Sequence, residues 1–393
     1  MHTAILAPEV QEFLRANAHT PLSTFILKGS PFSGVSIQEL AQQLEGRRKV
    51  KAKLPIWYQT DGILFPPKLN IEQTSSEATA QYKASLMTGK TLADGTGGFG
   101  IDSYYFAQQL DQVTHIELDA GVSAFAKANF DTLGTSNIQC IVADSITHFT
   151  KNKEHYNTIF LDPGRRSDIK GKVFMLQDCL PNVPEHLDLL LTRCDRLWIK
   201  TAPLLDISAG WNVLKNVSQL HIVAVRNEVK ELLWCMEATP TNTSLALTVI
   251  NIGKEGTSKV TMSYDALLDA HASYGLPSKY LYEPNAALMK SGAFNWLSEH
   301  FELFKLHENT HLYSSQACIT FPGRVFKIVS VLPYAKSMRK VLKLTKANIT
   351  TRNFPMSVAD LRKKLKIKDG GNDYLFFTTL EDGTLAVIHC HKV

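Results

Sequence analysis

Carboxylates close four of the chain's short apolar runs: Asp94 after 91–93, Glu117 after 113–116, Asp144 after 138–142 and Asp162 after 156–161. Gly95, Gly97, Gly98 and Gly100 crowd the six residues after Asp94, with Thr96 among them. Glycine permits the positive φ angles of a tight strand-to-helix turn, and without a Cβ it lets the backbone approach a ligand closely. Gly95-x-Gly97-x-x-Gly100 with Glu117 downstream fits a dinucleotide fingerprint, in which the acid binds a ribose. A glycine-rich turn that only packs a helix on a sheet fits it as well. Asp94 separates these readings. A pyrophosphate is repelled by a carboxylate fixed at that strand tip, whereas a ligand carrying an ammonium and a sulfonium is attracted.

A second group of reactive side chains follows the fourth apolar run: Asp162-Pro163-Gly164-Arg165-Arg166. Asp162 there can place or deprotonate an acceptor. Lys200 ends the next apolar run, 196–199, and can hold a phosphate, tune Asp162 or simply pair with it. Lys200-Thr201-Ala202-Pro203 contains no cysteine, and Cys194 lies at the opposite end of that strand. Covalent catalysis through a thiol is therefore disfavoured.

The elements that must position these residues alternate. Strands are expected at 91–93, 113–116, 138–142, 156–161, 196–199, 222–225 and 245–252, with helices at 101–110, 120–133 and 183–192 between them. Gly134 supplies a C-cap after the second of those helices. Such alternation makes a doubly wound α/β sheet with ligands at the strand tips. Residues 1–73 read as mostly helical, with Pro8 opening one helix and Ser36 capping another over 37–44, while 51–58 looks extended. Thr74-Ser75-Ser76-Glu77 has capping-box spacing and should start a helix through 78–87. Near the C-terminus, 324–331 reads as a strand and 357–365 as a basic amphipathic helix with Val358, Leu361 and Leu365 on its apolar side. Strands 374–379 and 385–390 should pair across Glu381-Asp382-Gly383.

DGTGGFG, DPGRR and IKTAPLLD, preceded by EQTSSEATAQYKA and followed by YLYEPNAALMKSGAF and NTHLYSSQ, resemble the bacterial class I S-adenosylmethionine-dependent methyltransferases that carry a C-terminal THUMP-like domain. The likeness spans nearly the whole chain. It implies a Rossmann-like methyltransferase sheet at 74–252 behind the N-terminal helical region, a connector with a ferredoxin-like element at 253–318, and a THUMP-like α+β module at 319–393. It also implies S-adenosylmethionine as cofactor, held by Asp94, Gly95, Thr96, Gly97, Gly98, Gly100, Glu117, Asp144 and Ser145. In that comparison Asp94 takes the methionine amino group, Glu117 the ribose hydroxyls and Asp144 the adenine amine, with residues 73–76 near the methionine end. Asp162, Pro163 and Lys200 fall where such enzymes face the acceptor. Gly164 and Arg165 depart from the Pro-aromatic sequence of amino-methylating nucleic-acid enzymes.

The net charge of +5 is unevenly placed. Residues 336–368 hold eleven Lys or Arg against one acid, Asp360, so this segment carries +10 and the remainder −5. Segregated cations suit a polyanion. Arg165, Arg362, Lys363, Lys364 and Lys366 are the candidate RNA contacts, and a tRNA or rRNA the expected partner. A smaller basic cluster at 47–53 beside Trp57 and Tyr58 suits either nucleic acid or solvent. The expected activity is direct methyl transfer to a nitrogen or oxygen of RNA. The alternatives are a methyltransferase for a protein or small molecule, which leaves the segregated charge without a role, and a non-catalytic RNA-binding protein that keeps the fold. Six scattered cysteines without a CxxC pair suit a reducing cytoplasm, and Cys390-His391 alone predicts no metal. No run of eighteen apolar residues predicts a membrane span.

Overall fold

The computed structural model describes residues 3–165, 175–239, 244–335 and 338–393; of Thr3, Arg165, Arg339 and Lys340 only the backbone is described. Arg166 and Lys336 lie outside the described residues. The chain folds as two units, 1–219 with 231–243, and 220–230 with 244–393.

The first unit begins with helices. The cap expected at Ser36 forms and is a full capping box with Glu39 as its reciprocal partner, and its helix α1 (Ile37–Val50) runs six residues beyond 44. Leu40 and Leu44 of α1 bury against Val10, Leu14, Phe25 and Leu64. Residues 51–58 are not extended: Pro55–Gln59 is a short helix, opened by a proline at its first turn, where the missing N–H costs nothing. It buries Trp57, whose ring lies 4.9 Å from that of Phe99 in the glycine loop. The capping box expected at Thr74–Glu77 shifts by two residues. Ser76 pairs with Thr79 and starts α2 (Glu77–Ala84), while Thr74 ends the preceding helix, Lys68–Gln73. Glu77 instead accepts from the Ile56 N–H.

The sheet follows: β1 (Thr91–Asp94), α3 (Ile101–Ala107), β2 (Gln112–Glu117), α4 (Ala120–Thr132), β3 (Ile138–Val142), α5 (Ser145–Lys151), β4 (Tyr156–Leu161), α6 (Val183–Leu191), β5 (Cys194–Thr201), β6 (Val217–Val225) and β7 (Glu228–Glu237). In the first unit the strands lie in the order β3-β2-β1-β4-β5-β7. All neighbours are parallel except β5 and β7, which are antiparallel with Ile199 opposite Trp234. The direction of strand addition reverses between β1 and β4, which opens a crevice at their carboxyl ends. Strand β7 was not expected. Arg226 and Asn227 make the turn before it with φ of 51° and 64°, a conformation that usually announces itself by glycine.

In the second unit β8 (Ala246–Ile252) pairs with β9 (Thr257–Ser263) in antiparallel register. A separate eight-stranded sheet is made of two short strands, Ser273–Tyr274 and Phe304–Lys305, with β10 (Tyr280–Pro284), β11 (Tyr313–Ser315), β12 (Gly323–Pro333), β13 (Asn348–Arg352), β14 (Asp373–Thr379) and β15 (Leu385–Lys392), and α7 (Val358–Leu365) packs on it. The expected hairpin of β14 and β15 forms, with Thr379 opposite Leu385. Leu361 and Leu365 bury beside Ile349, Phe377 and Val387, with Val358 at the margin. Among the described residues no helix is long and apolar enough to cross a membrane.

Candidate active site

A cleft of about 400 Å³ opens at the strand tips of the first unit, lined by Asn70, Gln73, Ser75, the loop residues Thr96–Phe99, and three carboxylates, Asp94, Asp102 and Asp162. Among the described residues Lys200 is the only cation in its lining. Lys200 pairs with Asp162 and the buried Lys83 with Asp102, so Asp94 is the lining carboxylate with no cation beside it among the described residues, a place for a positively charged ligand.

The loop is built by close contacts. Gly100 sits at φ 85° as the N-cap of α3, a region that costs other residues backbone strain. A Cβ on Gly97 would fall 2.2 Å from the His115 imidazole. Asp94, 1% exposed, accepts from the Thr96 N–H at 3.2 Å and the Ser103 hydroxyl at 2.6 Å. That hydroxyl also meets His115 Nδ1 at 2.9 Å. Burial is the main force that raises the Asp94 pKa, to about 7; the Ser103 bond opposes it and the Asp102 charge adds to it. Burial also holds His115 down, at about 4.

Glu117 accepts from the Gly98 N–H at 2.7 Å and the Asp119 N–H at 2.8 Å. A carboxylate has roughly four acceptor positions, so two remain for a ligand's hydroxyls. Asp144 is exposed, and one of its oxygens caps α5 through the Thr147 N–H. Ser145 is buried behind Gly95, whose Cβ would also meet Leu161. The Asp162 N–H donates to Thr96 Oγ1 at 2.6 Å, which ties the β4 tip to the loop. Its carboxylate accepts from Lys200 Nζ at 2.5 Å. Of the readings of Lys200, the ion pair is thus present. Pro163 is buried, while Gly164 is exposed and, among the described residues, no atom lies within 4 Å of where its Cβ would stand. Cys194 is buried at the start of β5, and burial pushes its thiol up to about 12, unsuited to nucleophilic attack.

One part of the site escaped sequence reasoning. Lys83, fully buried on α2, reaches Asp102 at 2.8 Å, Ser75 Oγ at 2.6 Å and Glu231 at 3.4 Å. Burial works against the ammonium, but Asp102 and Glu231 outweigh it and the Lys83 pKa rises. Burial lifts that of Glu231 in turn, against the pull of Lys83. Ser75 donates to Asp102 at 2.7 Å, so the segment before α2 is fixed to the first turn of α3 at the cleft's rim. The signal available was Lys83 itself, a charge at a position flanked by the buried Ala80 and Ala84. Leu118, 70% exposed directly after Glu117, is a further residue that could meet a ligand.

The proposed RNA contacts lie in the second unit, apart from Arg165, whose side chain is outside the described residues. Arg362 donates to the Ala347 carbonyl at 3.2 Å and pairs with Asp369. Lys364 donates to Tyr334 Oη at 2.8 Å and lies over its ring. Lys363 and Lys366 point from the same helix end into solvent.

Residues 323–392 match the THUMP domain-like family and residues 280–322 a ferredoxin-like domain family. A Porphyromonas gingivalis W83 protein, solved as a candidate methyltransferase, is 30% identical over 100% of this chain and 98% of its own, with a TM-score of 0.90. The chain belongs to the class I methyltransferase family with a C-terminal THUMP-like domain. More distant likenesses cover part of this methyltransferase-family chain. An Agrobacterium tumefaciens SAM-dependent methyltransferase is 15% identical over 42% of this chain and 61% of its own, at a TM-score of 0.32. A Streptococcus thermophilus rRNA methylase is 14% identical over 41% and 94%, at 0.30. No curated protein sequence matches the chain.

Proposed function

We propose that this family member is an S-adenosylmethionine-dependent methyltransferase acting on RNA. The observation that carries the reading is Asp94, a buried carboxylate in the cleft beside a glycine loop, whose neighbours Asp102 and Asp162 already hold Lys83 and Lys200 while it has no cation among the described residues. A cofactor with an ammonium and a sulfonium compensates that carboxylate, whereas a pyrophosphate is repelled by it. The donor set fits: Asp94 and the loop for the amino-acid end, Glu117 for vicinal hydroxyls, Asp144 for an exocyclic amine, with Leu118 exposed between them for an apolar ring face. When bound, S-adenosylmethionine supplies a methyl group already activated on sulfur.

What the chain must then supply is alignment and a proton acceptor. Lys200 restrains the Asp162 carboxylate, and Thr96 fixes its backbone to the loop that would hold the cofactor. Asp162 can accept a hydrogen bond, and then a proton, from an acceptor nitrogen or hydroxyl. The target as RNA is supported by the segregated basic charge of 336–368 and by the THUMP-like match.

Nucleoside mass spectrometry tests both halves. RNA from cells lacking the protein should lack one methylated nucleoside. The parent gene should restore it and Asp162→Asn should not, with cofactor affinity kept within about threefold and turnover lowered about 10²- to 10⁴-fold. An unchanged nucleoside profile, with label from the cofactor entering protein instead, overturns the RNA assignment.

A further inference from the structure

We propose that Asp373, His389 and His391 form a site for one divalent transition-metal ion of the zinc class on the outer face of the THUMP-like domain's sheet. Their ligand atoms all lie within 4.8 Å of one another. His389 Nε2 stands 2.6 Å and His391 Nε2 3.2 Å from the same Asp373 oxygen. Around a tetrahedral ion with bonds of about 2.0–2.1 Å, neighbouring ligand atoms are separated by roughly 3.3 Å. Small rotations of the two rings and the carboxylate therefore suffice to admit the ion.

The strand register produces this convergence. In β15 the side chains alternate, so Ile388 and Cys390 enter the core while His389 and His391 share the opposite face. Asp373, the first residue of β14, is the direct cross-strand partner of His391 and diagonal to His389. Cys390, buried with its thiol pushed up to about 12, is turned away from the site. The expectation from sequence weighed Cys390-His391 as an isolated pair and predicted no metal; the alternate residue, His389, was the signal. The two imidazoles already draw the Asp373 pKa below its usual range, with the His389 hydrogen bond the largest cause.

Two imidazoles and one carboxylate make a borderline donor set that suits zinc, cobalt, nickel or copper and is poor for magnesium or calcium. His391 has a side chain 58% exposed, against 14% for His389. The outer side of the site is therefore open to water, which leaves a coordination position for a solvent molecule or an exogenous oxygen donor. Lys327, the cross-strand partner of His391 from β12, is the neighbouring cation, and it is exposed enough to point away into solvent.

The test is calorimetric titration of Zn²⁺ into the full chain, freed of metal by chelator and kept reduced. The expected result is one equivalent bound at micromolar or lower Kd. His391→Ala and Asp373→Asn should each weaken this equivalent by at least about 10- to 100-fold, the scale set by loss of even an outer partner of a ligand. His391 is exposed, so its replacement leaves the core untouched. His155→Ala, at a surface pair with Asp195 in the other unit, should bind as the parent does. Mg²⁺ in the same titration should give no heat. Binding that persists undiminished in His391→Ala and Asp373→Asn, or a parent that takes up no Zn²⁺, reduces the cluster to a pair of His–Asp hydrogen bonds and overturns the proposal.

Discussion

The cleft of the first unit and the basic helix of the second handle charge in opposite ways. In the first, Lys83, Asp102, Glu231 and Asp94 are buried or nearly so, and each is held by named partners at 2.6–3.4 Å. In the second, the cations of α7 and the turn after it mostly stand in solvent, with Arg362 the exception. Buried charges interact strongly and cannot be removed singly without leaving a partner uncompensated. Exposed ones interact weakly and are screened by salt. The first arrangement suits one small cation held at one geometry, the second a long anion bound in many. Substitutions that exchange these behaviours between the units would break the comparison.

The largest effect is expected at Lys83. Among the described residues, Lys83 is the cation that contacts both Asp102 and Glu231. Lys83→Met removes it, and should cost about 3–5 kcal/mol of stability, measured by denaturant unfolding. A variant as stable as the parent would mean that the two carboxylates are neutral in the fold, and that the network is not ionic.

Next in size is Asp94. Asp94→Asn keeps a partner for Ser103 but removes the charge offered to the cofactor. Affinity for S-adenosylmethionine, followed by calorimetry, should fall about 10- to 150-fold, the worth of a charge-assisted hydrogen bond of roughly 1.5–3 kcal/mol. Glu117→Gln should lose less, because its oxygens also serve the Gly98 and Asp119 amides. Tight NADH binding with no response to S-adenosylmethionine would remove the cofactor assignment.

The raised pKa of Asp94, about 7, sharpens the same point through pH. A cationic ligand needs the carboxylate, so below pH 7 binding must expel a proton. Affinity should climb toward tenfold per pH unit from pH 5, flatten near 7, and decline above about 8 as the ligand's own amino group deprotonates. The folded form of this acid holds its proton more tightly than the unfolded form. Its contribution to stability is therefore lost as pH rises between about 4 and 7. Asp94→Asn cannot titrate and should flatten the stability profile and the rise of affinity below pH 7. Calorimetry in buffers of different ionisation enthalpy should show close to one proton released at pH 6 and a net uptake at pH 8, where the ligand's own amino group gains a proton on binding.

Much of the first unit was legible because its signals are local. The glycines after Asp94 and the acids at four strand tips each mark a boundary within a few residues. What was hidden depends on distance in the chain or on unusual residues in common conformations. Lys83, Asp102 and Glu231 meet only because α2, α3 and β7 converge. Strand β7 was missed because Arg226 and Asn227, not glycine, occupy positive φ. The 55–59 helix was masked by two apolar aromatics that read as a strand until Pro55 is placed at its first turn. The basic segment was visible as charge, but not which cations already had partners at home.

That last distinction gives the smallest predicted effect. Lys363, Lys366 and Lys368 are exposed, whereas Arg362 is held by the Ala347 carbonyl and Asp369. If the segment is an RNA platform, its work falls to the lysines. Each phosphate neutralised on a single strand contributes a slope of about −0.7 in log K against log salt. Lys363→Gln, Lys366→Asn and Lys368→Gln together should flatten that slope by about 1.4 if two of the three touch phosphate. Asparagine is chosen at 366 because that residue has φ 57°, which asparagine tolerates. Surface exchanges of this kind should change stability by no more than about 0.5 kcal/mol. Arg362→Gln should do the reverse, costing about 1 kcal/mol through its lost carbonyl and carboxylate bonds while leaving the slope unchanged. Equal slopes in the parent and the triple-lysine variant would move RNA binding off this helix, and a slope that flattened only in Arg362→Gln would show that the Asp369 pair opens when RNA arrives.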